Sequence, residues 1–346
     1  AGPFNAAGTF SDNLDTYDLD FQHSIKAAEN HSVVWGLAYR FTADETKSAP
    51  GLGFDPASVD QETFSAFLQD QFWLGNRALV TVGSKVEHND YTGFEVEPSV
   101  RVQGNLATEH MIWASVSRAV RMPSRIDRDV RQPSGAFNIL AGGRDFKSEN
   151  VIAYEAGYRG RLGNRVVGSM SFFYNDYTDI RSLRATPATL LPLHFANDLE
   201  GETHGVELSF SYDPLHWWRL TGGYTLLNSN LRVRPGGVDI NNALNETSDP
   251  ENQIALGSSM DLPAGIELDA HLRWIDTLEN NNGGQVGTVP SYLDLTVRMG
   301  IHLTDRWELS VVGHNLLDDH HPEFGVPGPT RVEIRRSLFG KVAWRF

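Results

Sequence analysis

Apolar and polar residues alternate with a period of two along most of this chain. In 291–303, Leu293, Leu295, Val297, Met299, Ile301 and Leu303 are separated by Asp294, Thr296, Arg298 and His302. Ile266, Leu268, Ala270, Leu272 and Trp274 interleave with Glu267, Asp269, His271 and Arg273, and Val206, Leu208, Phe210 and Tyr212 with Glu207, Ser209 and Ser211. The pattern recurs through Tyr17, Leu19, Phe21 and Ile25, through Phe94, Val96, Val100 and Val102, and through Trp307, Leu309, Val311 and Leu317. Successive side chains of a strand point to opposite faces, so each run predicts a strand with one apolar and one polar face. Each is about ten residues or longer, the length a tilted strand needs to cross a bilayer.

The last run, 330–346, sets Val332, Ile334, Leu338, Val342, Trp344 and Phe346 against Arg331, Glu333, Arg335, Ser337, Lys341 and Arg345. An aromatic terminal residue is unusual in a soluble sheet, whose ends fray, but suits a strand that closes a membrane cylinder. Between the runs, short turns are expected near residues 29–30, 75–76, 105–106, 162–164, 213–216, 263–264 and 304–305, and on the other side near 89–92. Segments rich in Gly, Pro, Asn and Asp at 46–60, 121–147, 183–200, 232–249, 278–289 and 318–328 are expected to be long loops. Short turns facing the periplasm and longer loops facing outward are the asymmetry of an outer-membrane barrel. Trp73, Trp113, Trp217, Trp218, Trp274, Trp307 and Trp344 are expected in interfacial girdles. The predicted fold is therefore all-β, a transmembrane antiparallel β-barrel: residues 1–13 read as a loop segment and 14–346 as the barrel. About fifteen strands are counted, an odd number beginning on the outer side, so the chain reads as the carboxyl-terminal portion of a larger barrel.

Composition adjusts this picture only slightly. No stretch of about twenty apolar residues is present, which excludes a helical membrane protein. A mean hydropathy of -0.33 is compatible with a barrel, because alternation hides the lipid face from an average. The absence of cysteine fits passage through an oxidising compartment, and a net charge of -15 argues against a nucleic-acid surface. Residues 1–8 read as loop, with no basic, apolar leader, so any signal peptide is expected to be already removed.

Six segments carry a resemblance: 89–101 (NDYTGFEVEPSVR), 111–125 (MIWASVSRAVRMPSR), 148–159 (SENVIAYEAGYR), 172–180 (FFYNDYTDI), 205–208 (GVEL) and 311–319 (VVGHNLLDD). In order and spacing they resemble the carboxyl-terminal barrel of the TonB-dependent outer-membrane receptors. The resemblance implies a 22-stranded barrel with a plugged lumen. It implies import of a scarce ligand, foremost an iron-siderophore complex, with energy relayed by the TonB complex through a plug domain that these residues do not include. It also implies that Val342, Trp344 and Phe346 are read by the barrel-assembly machinery. The expected surroundings are outer-membrane lipid and lipopolysaccharide. Cobalamin, haem or carbohydrate remain alternative ligands, and a self-contained porin an alternative function.

Within 118–131, Arg118, Arg121, Arg125, Arg128 and Arg131 gather at a strand top and in the loop after it. Guanidinium groups can grip the oxygens of an anionic ferric chelate, so Arg118, Arg121 and Arg125 are the candidate ligand contacts; pairing with acidic neighbours or lipopolysaccharide phosphates is the other reading. Asp318, Asp319, His320 and His321 form a metal-like run, but neighbours in a loop seldom converge on one ion, and a solvated loop is the expectation, with no metal or other cofactor. Acidic Asp239, Glu246, Asp249 and Glu251 are read as a solvated loop, with cation bridging to lipopolysaccharide as the alternative. An outer-membrane hydrolase is the remaining option. No Gly-x-Ser-x-Gly or His-Glu-x-x-His motif occurs, and catalysis is not expected.

Overall fold

The computed structural model describes residues 8–346 apart from 136, 245–247, 283, 284, 326 and 330, with 280–282 and 285–286 described by backbone alone. Residues 1–7 of the expected opening loop and Glu246 lie outside the described residues. An 18-stranded sheet dominates. Three of its members, Gly53–Phe54, Val130–Ser134 and Phe137–Ala141, are short pieces of the loops. The other fifteen form an antiparallel meander: β1 (Ser11–Ala28), β2 (His31–Lys47), β3 (Ser58–Leu74), β4 (Ala78–Asn89), β5 (Gly93–Ala107), β6 (His110–Arg121), β7 (Glu149–Leu162), β8 (Val166–Thr186), β9 (Leu190–Leu215), β10 (Trp218–Val233), β11 (Asn252–Leu262), β12 (Ile266–Ile275), β13 (Tyr292–Thr304), β14 (Trp307–His314) and β15 (Ser337–Trp344). Each pairs with the next in sequence. Among the described residues, β1 and β15 pair on one side only.

The register explains why alternation survives as structure. Phe210, Gly222, Leu256, Leu272 and Leu295 are successive cross-strand partners, and one residue along lie Ser209, Gly223, Ala255, Arg273 and Asp294. A slip of one position would exchange the two rows, so the pattern specifies the pairing. Large apolar side chains stand exposed on the first face, Phe94 at 75%, Leu338 at 74% and Leu19 at 70%. An apolar surface of that extent needs a lipid environment. The opposite face carries ion pairs such as Arg298 with Glu267 at 2.8 Å, Asp269 at 3.0 Å and Glu308 at 2.6 Å.

Several expectations need correction. Trp73 and Trp113 sit in one row on the polar face, Trp73 opposite Leu79 and Trp113 opposite Gln103, not in a lipid-facing girdle. Trp113 lies against Gly157, where an added Cβ would meet the indole at 2.6 Å, and the Arg101 guanidinium covers its ring at 5.0 Å. Trp307 and Trp344 do share the apolar face, stacked at 5.7 Å. The turn expected at 105–106 falls at 108–109, where Glu109 takes the left-handed conformation (φ 66°), and β9 runs on through Pro214 across an irregular register to Leu215. β1 begins at Ser11, earlier than the expected Leu14, and β15 is shorter than the run 330–346.

The largest correction concerns 183–200. Instead of a loop, β8 and β9 continue as a ladder to Thr186↔Leu190. Alternation fades there because neither face of the extension meets lipid, yet the backbone groups still need partners, and the ladder supplies them. The segment 121–147 likewise holds the one-turn helix α1 (Arg125–Asp129) and the hairpin Val130–Ser134 with Phe137–Ala141, and 278–289 is a hairpin of Leu278–Asn282 with Gln285–Val289.

Candidate functional site

Above β6–β10 the loops join into a platform. The Val130–Ala141 hairpin pairs with Gly53–Phe54 on one side and, through Leu140 and Ala141, with Leu193 and His194 of the β9 extension on the other. Gly142 and Gly143 allow the close approach: a Cβ on either would meet Arg128 or Phe195 backbone at 2.2 Å or less.

Its framework is ionic. Ser124 caps α1, accepting from the Asp127 amide, while the Asp127 carboxylate accepts from the Ser124 amide at 2.9 Å. Asp127 is fully buried, with Arg121 at 2.9 Å and Arg181 at 3.6 Å. Burial alone would push its carboxyl up, but bonds from Arg121 and Ser124 outweigh that and hold it below the usual carboxylate range. Asp198, also buried, takes Arg184 and, at 2.9 Å, Arg234. The Tyr91 hydroxyl donates to Asp129 at 2.9 Å, and burial together with that carboxylate pushes it far above the phenol range, so it remains a donor.

The three candidate arginines are all engaged within this framework. Arg121 grips Glu149 with two bonds, at 2.6 and 2.8 Å, and also binds Asp127. Arg125 is 8% exposed, ion-paired with Asp44 at 3.0 Å, bonded to Asp129 at 3.3 Å and to the Pro56 carbonyl, and lies over Phe54. Arg118 bonds the Val96 carbonyl, Asn150 and Glu95. It fills a place where β5 and β6 stop pairing above Ser99↔Ser117, next to Pro98, which has no N–H for the ladder.

Between α1, residues 142–147 and the β8–β9 extension lies a cavity of about 650 Å³. Its lining includes Arg128, Arg131, Arg144, Lys147, Arg184 and Arg234 against Asp55, Asp129, Asp145, Asp179 and Asp198, with His194, Phe146 and Phe195. Six cations face five acids, in a chain of net charge -15. Arg184 and Arg234 are neutralised by Asp198, and Arg131 by Asp55. Arg128 bonds only carbonyls, Tyr91 O at 2.7 Å and Arg144 O. Arg144 is 82% exposed and reaches Asp55 only at 4.0 Å. Among the described residues Lys147 has no ion pair. Sequence reasoning named Arg128 and Arg131 as members of the cluster but missed Arg144 and Lys147. The signal available was a basic run beside the Gly142–Gly143 pair, inside a segment read only as loop. Asp318, Asp319, His320 and His321 lie elsewhere, and among the described residues no three metal-ligating side chains converge.

Residues 1–316 match a family model described as TonB dependent receptor-like, beta-barrel. The chain belongs to that family. The fifteen-stranded wall is thus barrel wall of a TonB-dependent receptor, it lies in the bacterial outer membrane, and the loop end is the outer end. The iron-regulated outer membrane virulence protein of Vibrio cholerae is 25% identical over 214 residues, covering 58% of this chain and 32% of that protein. The siderophore receptor PirA of Acinetobacter baumannii superposes with a TM-score of 0.76 at 15% identity, over 97% of this chain and 55% of PirA. The FrpB iron transporter of Neisseria meningitidis gives 0.78 at 13%, over 99% and 57%. A mutant of the ferric enterobactin receptor PfeA of Pseudomonas aeruginosa, in complex with enterobactin, gives 0.76 at 14%, over 98% and 55%. The chain spans about a third of the Vibrio relative and somewhat over half of these structures.

Proposed function

We propose that this chain is the barrel portion of a receptor that imports a scarce metal chelate, an anionic ferric siderophore, with energy relayed by TonB through a plug domain lying outside these residues. The observation that carries the reading is the outer cavity whose Arg128, Arg144 and Lys147 are not neutralised by a close carboxylate, in an otherwise acidic chain. Cations gathered along an outer cleft attract carboxylate, hydroxamate or catecholate oxygens. Arg121 and Arg125 act by fixing α1, which presents Arg128, and Arg118 by sealing the wall beneath.

The open edges of β1 and β15 support a wall completed by further strands, because unpaired backbone in lipid costs several kcal/mol per group. Trp73 and Trp113 on the lumen face support a filled lumen over a water-filled porin. The test is growth of an iron-starved host carrying the full-length receptor on defined chelates. Arg128→Glu with Lys147→Glu is expected to abolish uptake of one anionic chelate at normal membrane levels, and unchanged uptake of every chelate overturns the reading. Val342, Trp344 and Phe346 serve assembly in this account. Deleting Phe346 lowers the amount of heat-modifiable, inserted protein, and unchanged membrane levels contradict that role.

A further inference from the structure

Away from the cavity, residues 316–325 and 331–336 lie at the outer rim above β13 and β14, and they carry two adjacent histidines. His321 is only 5% exposed, and its ring stacks on Tyr292 of β13 at 4.1 Å between centroids. Neither ring nitrogen has a hydrogen-bond partner. Nδ1 stands 3.8 Å from Asp318 Oδ2, and Nε2 stands 3.6 Å from Glu323 Oε1. A buried imidazole with two unmet nitrogens calls for an explanation.

Neutral imidazole carries one N–H and one bare lone pair. It can donate to Asp318 or to Glu323, and it then sets a lone pair toward the other carboxylate. Imidazolium has two N–H donors diverging along these two directions, and it satisfies both. One metal ion cannot use nitrogens that point apart, and no three ligating side chains converge here among the described residues.

Charged groups surround the ring. Arg273 of β12 binds Glu323 at 2.5 Å, lies over the Tyr292 ring at 5.5 Å and reaches Asp294 of β13 at 3.7 Å. Arg273 therefore joins Glu323 and Asp294, while Asp318 lies against the imidazole. His320 repeats the arrangement at the surface: its Nε2 is 3.6 Å from Glu333 Oε2, which belongs to a carboxylate also 3.9 Å from Arg331. Asp319 is already paired with Arg336 at 3.0 Å. His320 and His321 form a two-residue ladder with Ile334 and Arg335, so both parts of the segment meet at the histidines.

We propose that His321, seconded by His320, is a proton-operated latch that pins residues 318–323 and 331–336 to the outer rim of the barrel. Proton uptake draws Asp318 and Glu323 onto the imidazolium, and Glu333 onto His320. Proton release frees Asp318 and leaves Glu323 to Arg273 and Glu333 to Arg331, which loosens the segment. Partners are gained by the protonated form, so the latch tightens toward acid and relaxes toward alkali.

Hydrogen exchange of peptides covering 316–324 and 331–337, in the full chain in outer-membrane vesicles, tests this between about pH 5 and about pH 8. After correction for intrinsic exchange, about tenfold stronger protection is expected at the acid end. Glu323→Gln keeps the histidine but removes one partner and is expected to flatten the dependence, as is His321→Gln, with heat-modifiable migration unchanged in both. Equal protection at both pH values in the unmodified chain overturns the latch, as does a dependence that survives both substitutions.

Discussion

One hairpin contains both kinds of order found in this molecule. In the lower part of β8 and β9, Phe172 and Phe210 stand 47% and 44% exposed on the lipid face while Ser171 and Ser209 line the other side. A few turns of chain higher, Leu199 and Asp198 are neighbours in sequence and both are buried, at 1% and 0%. Below, the membrane sorts residues by face. Above, water surrounds the whole assembly, and the platform packs a small cluster of Ile180, Leu199 and Ala243 together with carboxylates locked between arginines. A strand can therefore keep its ladder while losing its pattern.

The largest expected effect breaks the upper order alone. Arg125→Ala leaves buried Asp44 and half-buried Asp129 without their cation, and removing one partner of a buried pair costs about 3–5 kcal/mol. Faster hydrogen exchange across 121–148 with normal heat-modifiable migration is the expected result. Loss of the whole barrel in that variant would show that platform and wall are one unit.

The lower order is broken from its apolar face. Leu295→Arg should lower stability in vesicles by about 2–4 kcal/mol if it lies near the midplane, whereas Thr296→Arg, one residue along, should cost much less. Equal losses in denaturant titrations would contradict the register.

How legible each region was follows from the same contrast. Leu293 to Leu303 announced their strand, and Val206 to Tyr212 theirs, because lipid imposes period two on any wall that faces it. Arg125 was visible only as one of five arginines: Asp129 is its i,i+4 partner only once 125–129 is a helix, and Asp44, far back in sequence, is brought to it only by the fold. The lumen position of Trp113 was misread because aromatic character does not state a face; its odd numbering with Ser115 and Ser117 did. The 183–200 ladder was illegible, its turn residues outweighing a pairing that no alternation marks.

Acid sharpens the comparison. Because Asp127 is held below the usual carboxylate range, around 3.8, its contribution is complete above that range and is lost as pH falls further through its lowered value. Proteolysis within 121–148 should accelerate below about pH 4 while the strands stay protected. Cleavage independent of pH would remove Asp127 from the framework. The smallest effect is expected within the wall: Trp344→Leu keeps an apolar residue but gives up the stack on Trp307, for about 0.5–1.5 kcal/mol in unfolding titrations.

The central claim is that β9 changes from lipid-sorted to platform-packed along its own length. The chain has no cysteine, so single cysteines can carry nitroxide labels at each position from 194 to 212 without background. Accessibility to oxygen should alternate with period two from Val206 to Tyr212, high at Val206, Leu208 and Phe210, and should be uniformly low from His194 to Glu200. Alternation continuing through 194–200, or equal accessibility at Leu208 and Ser209, would contradict it.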